Sequence, residues 1–172
     1  MKRLGLSTVF IAIAFAVPAF DHAAAQNQAV NDEWVTVHVC HLSLLIPKDL
    51  KRTDVRGVDS CFAEFTNQKI RLYLDYGYYT GPKAKSVRDF DFKEQSILVG
   101  GKTAQVTTYN DDTTYSGGKK PYLRYFANLY VIVKPADAEF GSRPVSLTMN
   151  VGGESEGDEE IGLRIFRSIR FE

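Results

Sequence analysis

The chain has no net charge, its 21 basic residues being balanced by 21 acidic ones. Without a clustered basic excess there is no general electrostatic footprint for nucleic acid or for an anionic bilayer, and neither partner is expected. Histidine is scarce, with three copies, and the last of them is His41. A hydrolase whose histidine base follows its serine in the chain is therefore not supported. No phosphate-cradling glycine loop, dinucleotide fingerprint, ordered Ser/His/Asp set or calcium-loop spacing is visible, and no cofactor is expected. Internal repeats and low-complexity linkers are absent as well.

What is present is globular in composition, 44% hydrophobic and 24% charged, which argues against disorder, a collagenous fibre or a polytopic membrane protein. Met1-Lys2-Arg3 is a short basic start, Leu4 to Phe20 is almost continuously apolar, and Ala23-Ala24-Ala25 supplies small residues for cleavage. This pattern predicts a secretory signal peptide over residues 1–25, cut between Ala25 and Gln26. The apolar stretch holds Ser7, Thr8 and Pro18 and is shorter than the ~20 residues of a spanning helix, so no membrane span is expected after processing. Processing removes Lys2, Arg3 and Asp21 and leaves 19 basic and 20 acidic side chains. Residues 26–172 are of ordinary size for a single exported domain, secreted or periplasmic.

Cys40 and Cys61 are the only cysteines, and a pair in an exported protein predicts a disulfide. The competing reading is a zinc or copper site, because His38-Val39-Cys40-His41 packs three candidate ligands into four residues and Cys61 could complete the set. On a strand, however, His38 and Cys40 face one side and His41 the other. No metal is expected.

Along the chain, Val35, Val37 and Val39 alternate with polar neighbours, and Leu42 to Ile46 runs apolar to Pro47, which predicts a strand, a kink and a second strand segment. Residues 48–60 read as an irregular connection. Ile70, Leu72, Leu74, Tyr76 and Tyr78 alternate with Arg71, Tyr73 and Asp75, a strand signal, closed by Gly81-Pro82. After a mixed-charge stretch, Gly100-Gly101 is expected to join residues 96–99 to 102–109 as a hairpin. Asp111 to Lys120 reads as a polar tip. Two further strands are expected over Tyr122 to Val133 and around Val145 to Val151. Ile161, Ile165 and Ile169 recur every four residues behind Glu156, Asp158, Glu159 and Glu160, predicting a helix from about 157 to 167 and a short strand ending at Phe171. The sum is an α+β domain, an antiparallel-rich sheet with a C-terminal helix packed on one face.

Three segments are similar to the PsbP-like proteins, a family of exported or lumenal α/β domains. They are Leu44-Leu45-Ile46-Pro47, Gly100-Gly101-Lys102-Thr103-Ala104 and Ile165-Phe166-Arg167-Ser168-Ile169-Arg170-Phe171. The resemblance implies an α/β/α sandwich and non-catalytic accessory or assembly work in a larger complex. It carries over no functional residue.

Candidate chemistry is sparse. Gly153-Glu154-Ser155-Glu156-Gly157 matches the G-x-S-x-G pattern of a nucleophile elbow, but its neighbouring carboxylates would repel an oxyanion, and an acidic loop capping the helix is the expectation. Asp75, Asp89, Asp91, Asp111 and Asp112 could supply a glycosidase pair only at a defined separation, and are read as surface carboxylates. All nine tyrosines fall between Tyr73 and Tyr130. Rings with polar tips suit recognition of peptides or sugars, so Tyr73, Asp75, Tyr76, Tyr78 and Tyr79 form the candidate recognition patch. The function expected is non-catalytic binding or accessory work at the cell envelope, with an envelope protein or a carbohydrate as partner. The alternative is a small exported hydrolase, for example a carbohydrate-active one.

Overall fold

Strand-period alternation dominates the chain, and the computed structural model, which describes residues 33–55, 59–111, 123–136 and 143–172, is accordingly built of antiparallel strands. The expected leader, Asp112 and residues 113–120 of the polar tip lie outside the described residues. In chain order the elements are β1 (Trp34–Val39), β2 (Leu42–Pro47), β3 (Lys51–Arg52), β4 (Cys61–Thr66), β5 (Ile70–Gly77), β6 (Asp89–Val99), β7 (Lys102–Asp111), β8 (Tyr125–Lys134) and β9 (Val145–Gly153), then α1 (Asp158–Ser168) and β10 (Arg170–Phe171). A seven-stranded sheet has the order β3-β4-β5-β9-β8-β7-β6, and a three-stranded sheet the order β1-β2-β10. With its C-terminal helix packed on the large sheet, the domain is α+β as expected.

The kink expected between β1 and β2 is instead a tight hairpin. Val39 pairs with Leu42, so Cys40 and His41 alone make the turn, at φ 53° and 61°. Two successive left-handed residues give the turn whose twist suits antiparallel strands. Neither residue is the Gly or Asn that usually marks such a turn, and the pattern therefore hid it. Gly100 and Gly101, at φ 54° and 78°, make the same kind of turn between β6 and β7 as predicted. β6 begins at Asp89, earlier than the apolar residues suggested, because this edge strand is polar along most of its length and carries a bulge between Phe90 and Lys93. β4, not foreseen as a strand, pairs along its whole length, Cys61 to Thr66, with Tyr76 to Arg71 of β5.

Residues paired across strands share a face. Leu72, Val151, Ala127 and their neighbours Leu74, Met149, Leu129 and Val106 therefore line one side of the large sheet. They belong to a single apolar cluster with Leu42, Leu44 and Ile46 of β2 and Leu163, Ile165, Phe166 and Ile169 from the helix region. The helix lies close because Gly162 faces the sheet: a Cβ there would come within 2.8 Å of Ala127 Cβ. Its first turn carries Asp158, Glu159 and Glu160, complementing the positive end of the dipole.

Cys40 and Cys61 form the expected disulfide, with Cα atoms 5.5 Å apart. The bridge ties the tip of the β1–β2 hairpin to the first residue of β4, and so one sheet to the other. His38 Nδ1 hydrogen-bonds Glu172 Oε1 at 2.8 Å, and His41 lies beside Tyr76. Among the described residues no group of three or more His, Cys, Asp or Glu is placed to hold a metal, nor is any helix long and apolar enough to cross a membrane.

Candidate functional site

The other face of the large sheet is where the polar residues collect. In one row across it, Glu64 of β4 stands opposite Tyr73 of β5, Tyr73 opposite Asn150 of β9, Asn150 opposite Asn128 of β8, and Asn128 opposite Thr107 of β7. Each of these residues alternates with core residues on its own strand, so the row follows from the two-residue period once the strand order is set. Asn150 Nδ2 donates to Asn128 Oδ1 at 2.6 Å. Arg71 pairs with Glu64 at 3.2 Å.

The next row is aromatic. Phe126 stands opposite both Gly152 and Tyr109, and its ring stacks on that of Tyr109 with centroids 5.0 Å apart and planes 12° from parallel. Gly152 makes this possible, since a Cβ there would lie 2.8 Å from the Phe126 ring. The segment joining β5 to β6 crosses this face as a strap. Thr80 Oγ1 hydrogen-bonds Ser146 Oγ, while Lys83 Nζ lies 4.7 Å from the Tyr109 ring centre and 2.6 Å from Asp89 Oδ2. Asn128, Thr107 and Ser146 are buried on this face.

Between the row and the aromatic wall lies a cleft of about 620 Å3, lined by Glu64, Arg71, Tyr73 and Asn150 on the polar side and by Tyr109, Phe126 and Leu123 on the other, with Asp111 at the end of β7. Burial pushes the Tyr109 phenol above its usual pKa. The amides of Asn128 and Asn150 pull it down, and the carboxylates of Asp89 and Asp111 push it further up. Tyr73 is raised too, first by burial and then by Asp75 and Glu64. Both phenols therefore stay neutral donors well past physiological pH. Three buried side-chain atoms on this face, Asp75 Oδ1, Thr148 Oγ1 and Thr107 Oγ1, have no hydrogen-bond partner among the described residues. Unpaired buried polar atoms are costly, about 1–3 kcal/mol each, and mark a surface not optimised for stability alone.

The tyrosine patch expected from alternation is divided. Tyr73 and Asp75 are on this polar face; Tyr76 is on the core side and half-buried. The strand ends at Gly77, so Tyr78 and Tyr79 extend past it, exposed by 51% and 72%. Tyr76 and Tyr78 line a second cleft, of about 880 Å3, beside Cys61 and His41. Of the carboxylates, Asp111 lines the polar cleft, Asp89 is held by Lys83 and by the Ser86 N–H, and Asp91 accepts a hydrogen bond from Asn110. Ser155 sits in the loop before α1, where its N–H donates to Asp158 Oδ2 at 2.8 Å. Glu64, Arg71, Tyr109, Phe126, Asn128 and Asn150 were missed by sequence reasoning. Their only signal was that each interrupts or alternates with an apolar strand pattern.

No protein-family model matches the chain, and no curated protein matches it either.

Proposed function

We propose that this is an exported, non-catalytic binding or accessory protein of the cell envelope, of PsbP-like architecture, and that it holds its partner in the cleft between Tyr73, Asn150 and Phe126. The observation that carries this reading is the juxtaposition in one cleft of aromatic and apolar side chains with a row of hydrogen-bonding ones, the combination that recognition sites use to gain both area and orientation. The disulfide supports export, because such bridges persist in oxidising compartments. The antiparallel sheet with its C-terminal helix supports the architecture.

The test is capture from the native envelope fraction, with bound proteins and bound glycans analysed separately. The wild-type chain should retain a component that a Tyr73→Phe/Asn150→Ala variant of unchanged fold releases; equal capture by both proteins would remove the cleft from the function. A second reading, a small carbohydrate-active hydrolase, is favoured by one observation, that Glu64 and Asp111 line the same cleft. Release of new reducing ends from an oligosaccharide by the wild-type protein would put that reading first.

A further inference from the structure

Independently of the cleft, we infer that the outer edge of β1 is a second docking surface, which takes up an extended, acidic peptide segment of a partner as an added strand. The register of the N-terminal hairpin fixes which backbone groups are available there. Val39 and Leu42 close a two-residue turn, so this pair exchanges both of its hydrogen bonds, and the alternation repeats at Val37 with Leu44 and at Val35 with Ile46. The Lys48 N–H, which donates to the Glu33 carbonyl at 2.9 Å, continues the same series. Thr36 and His38, lying between these pairs, therefore direct their N–H and C=O groups away from β2. Among the described residues no strand pairs with that side of β1, and an unpaired edge is a template for another chain.

Beside this edge a groove of about 520 Å3 lies between β1 and β3. Val35 and Val37 line it from β1, and Val35 is 40% exposed; Ile46, Leu50 and Phe65 close the base behind them and are themselves buried. The rim is basic. Lys48, Lys51 and Arg52 line it, none of the three is ion-paired among the described residues, and no described lining residue is acidic. His38, also on the rim, is engaged by Glu172, and the neighbouring carboxylate of Asp49 accepts a hydrogen bond from Asn67 at 2.8 Å. A strand laid on β1 takes main-chain hydrogen bonds from Thr36 and His38, while its inner side chains meet Val35 and Val37 and reach toward Lys51 and Arg52. The three cations select acidic side chains at that position; exposed charge pairs of this kind contribute more to the choice of partner than to affinity. An anionic bilayer would answer the charges but leave the backbone edge unpaired, so a peptide is the occupant that fits both.

The experiment is amide hydrogen exchange followed by NMR on the full exported protein, alone and with the peptide Thr-Val-Thr-Glu-Thr-Val-Thr-Glu. In the free protein the Thr36 and His38 amides should exchange fast and those of Val35 and Val37 slowly. The peptide should bind with a Kd of about 1 mM or tighter and slow Thr36 and His38, while its counterpart with lysine for each glutamate binds about tenfold more weakly. Residues opposite each other in a sheet share a face, so with its valines and glutamates turned into the groove the peptide points its threonine N–H groups at β1. N-methylation at the threonines should abolish binding, and N-methylation at the valines and glutamates should spare it. Lys51→Glu/Arg52→Glu, at two exposed positions, should weaken the acidic peptide by about tenfold and leave the denaturant midpoint unchanged. Four results overturn the inference: protection of Thr36 and His38 already in the free protein, equal binding of the acidic and basic peptides, equal binding of the two N-methylated forms, or retention by phosphatidylglycerol vesicles without binding of the acidic peptide.

Discussion

Tyr109 shows how one side chain can serve both packing and a site. Its ring is stacked on Phe126 and covered by Lys83, while its hydroxyl is turned toward the amide pair of Asn128 and Asn150. Because burial raises the phenol above its ordinary value, the folded chain keeps this proton after the unfolded chain has released it. The associated stability is complete below the unfolded value of about 10 and is lost as pH rises through the higher folded value. Wild-type protein should therefore lose stability above pH ~10, and Tyr109→Phe should lose less over the same interval. Denaturant midpoints of both proteins on either side of that value check the prediction, and parallel curves would contradict it. Tyr109 itself was not legible as a site residue. In sequence it is one tyrosine among nine, and what distinguishes it is Phe126 standing opposite, a matter of register between β7 and β8.

Elements were legible where periodicity was clean. β5, β8 and β9 each alternate long enough to declare a strand, Gly100-Gly101 declares its turn and with it β7, and the four-residue recurrence of Ile161, Ile165 and Ile169 declares the helix. Elsewhere local chemistry and structure diverge. β6 lies at a sheet edge and buries little, so its pattern is mostly polar, and the Cys40-His41 turn lacks the residues such turns favour. The packing of α1 depends on a feature that propensity would penalise, the glycine at 162 in the middle of a helix. Its value is proximity, since Ala127 and Val151 occupy the space where a Cβ would sit. Gly162→Ala should thus gain helix propensity yet destabilise the protein by about 1–3 kcal/mol, because the helix must move off the sheet. Calorimetry or chemical denaturation reads the sign, and a more stable variant would show that the helix can shift without cost. The polar cleft lies on the opposite face of the sheet, so its geometry should survive this substitution.

For the molecule as a whole, the covalent link matters because it joins parts that the sheets leave separate. β1, β2 and β10 form one hydrogen-bonded sheet and β3 to β9 the other; the shared core and the Cys40–Cys61 bridge hold them together. Bridging residues 21 apart restricts the unfolded chain enough to contribute roughly 3 kcal/mol in the chain-entropy model. The small sheet depends on the bridge more than the large one. Among the described residues β1 pairs only with β2, whose other neighbour is the two-residue strand β10; β9 is paired along its length on both sides. A Cys40→Ser/Cys61→Ser variant should therefore lose about 2–5 kcal/mol of global stability. It should also exchange amide hydrogens faster in β1 and β2 than in β8 and β9 under conditions where the fold persists. Hydrogen exchange followed by mass spectrometry, peptide by peptide, resolves the two sheets. Uniform acceleration across both would mean that the domain opens as a single unit and that the bridge holds no particular part of it. Acceleration confined to residues 34–47 would identify the disulfide as the tie that keeps the N-terminal hairpin seated on the core.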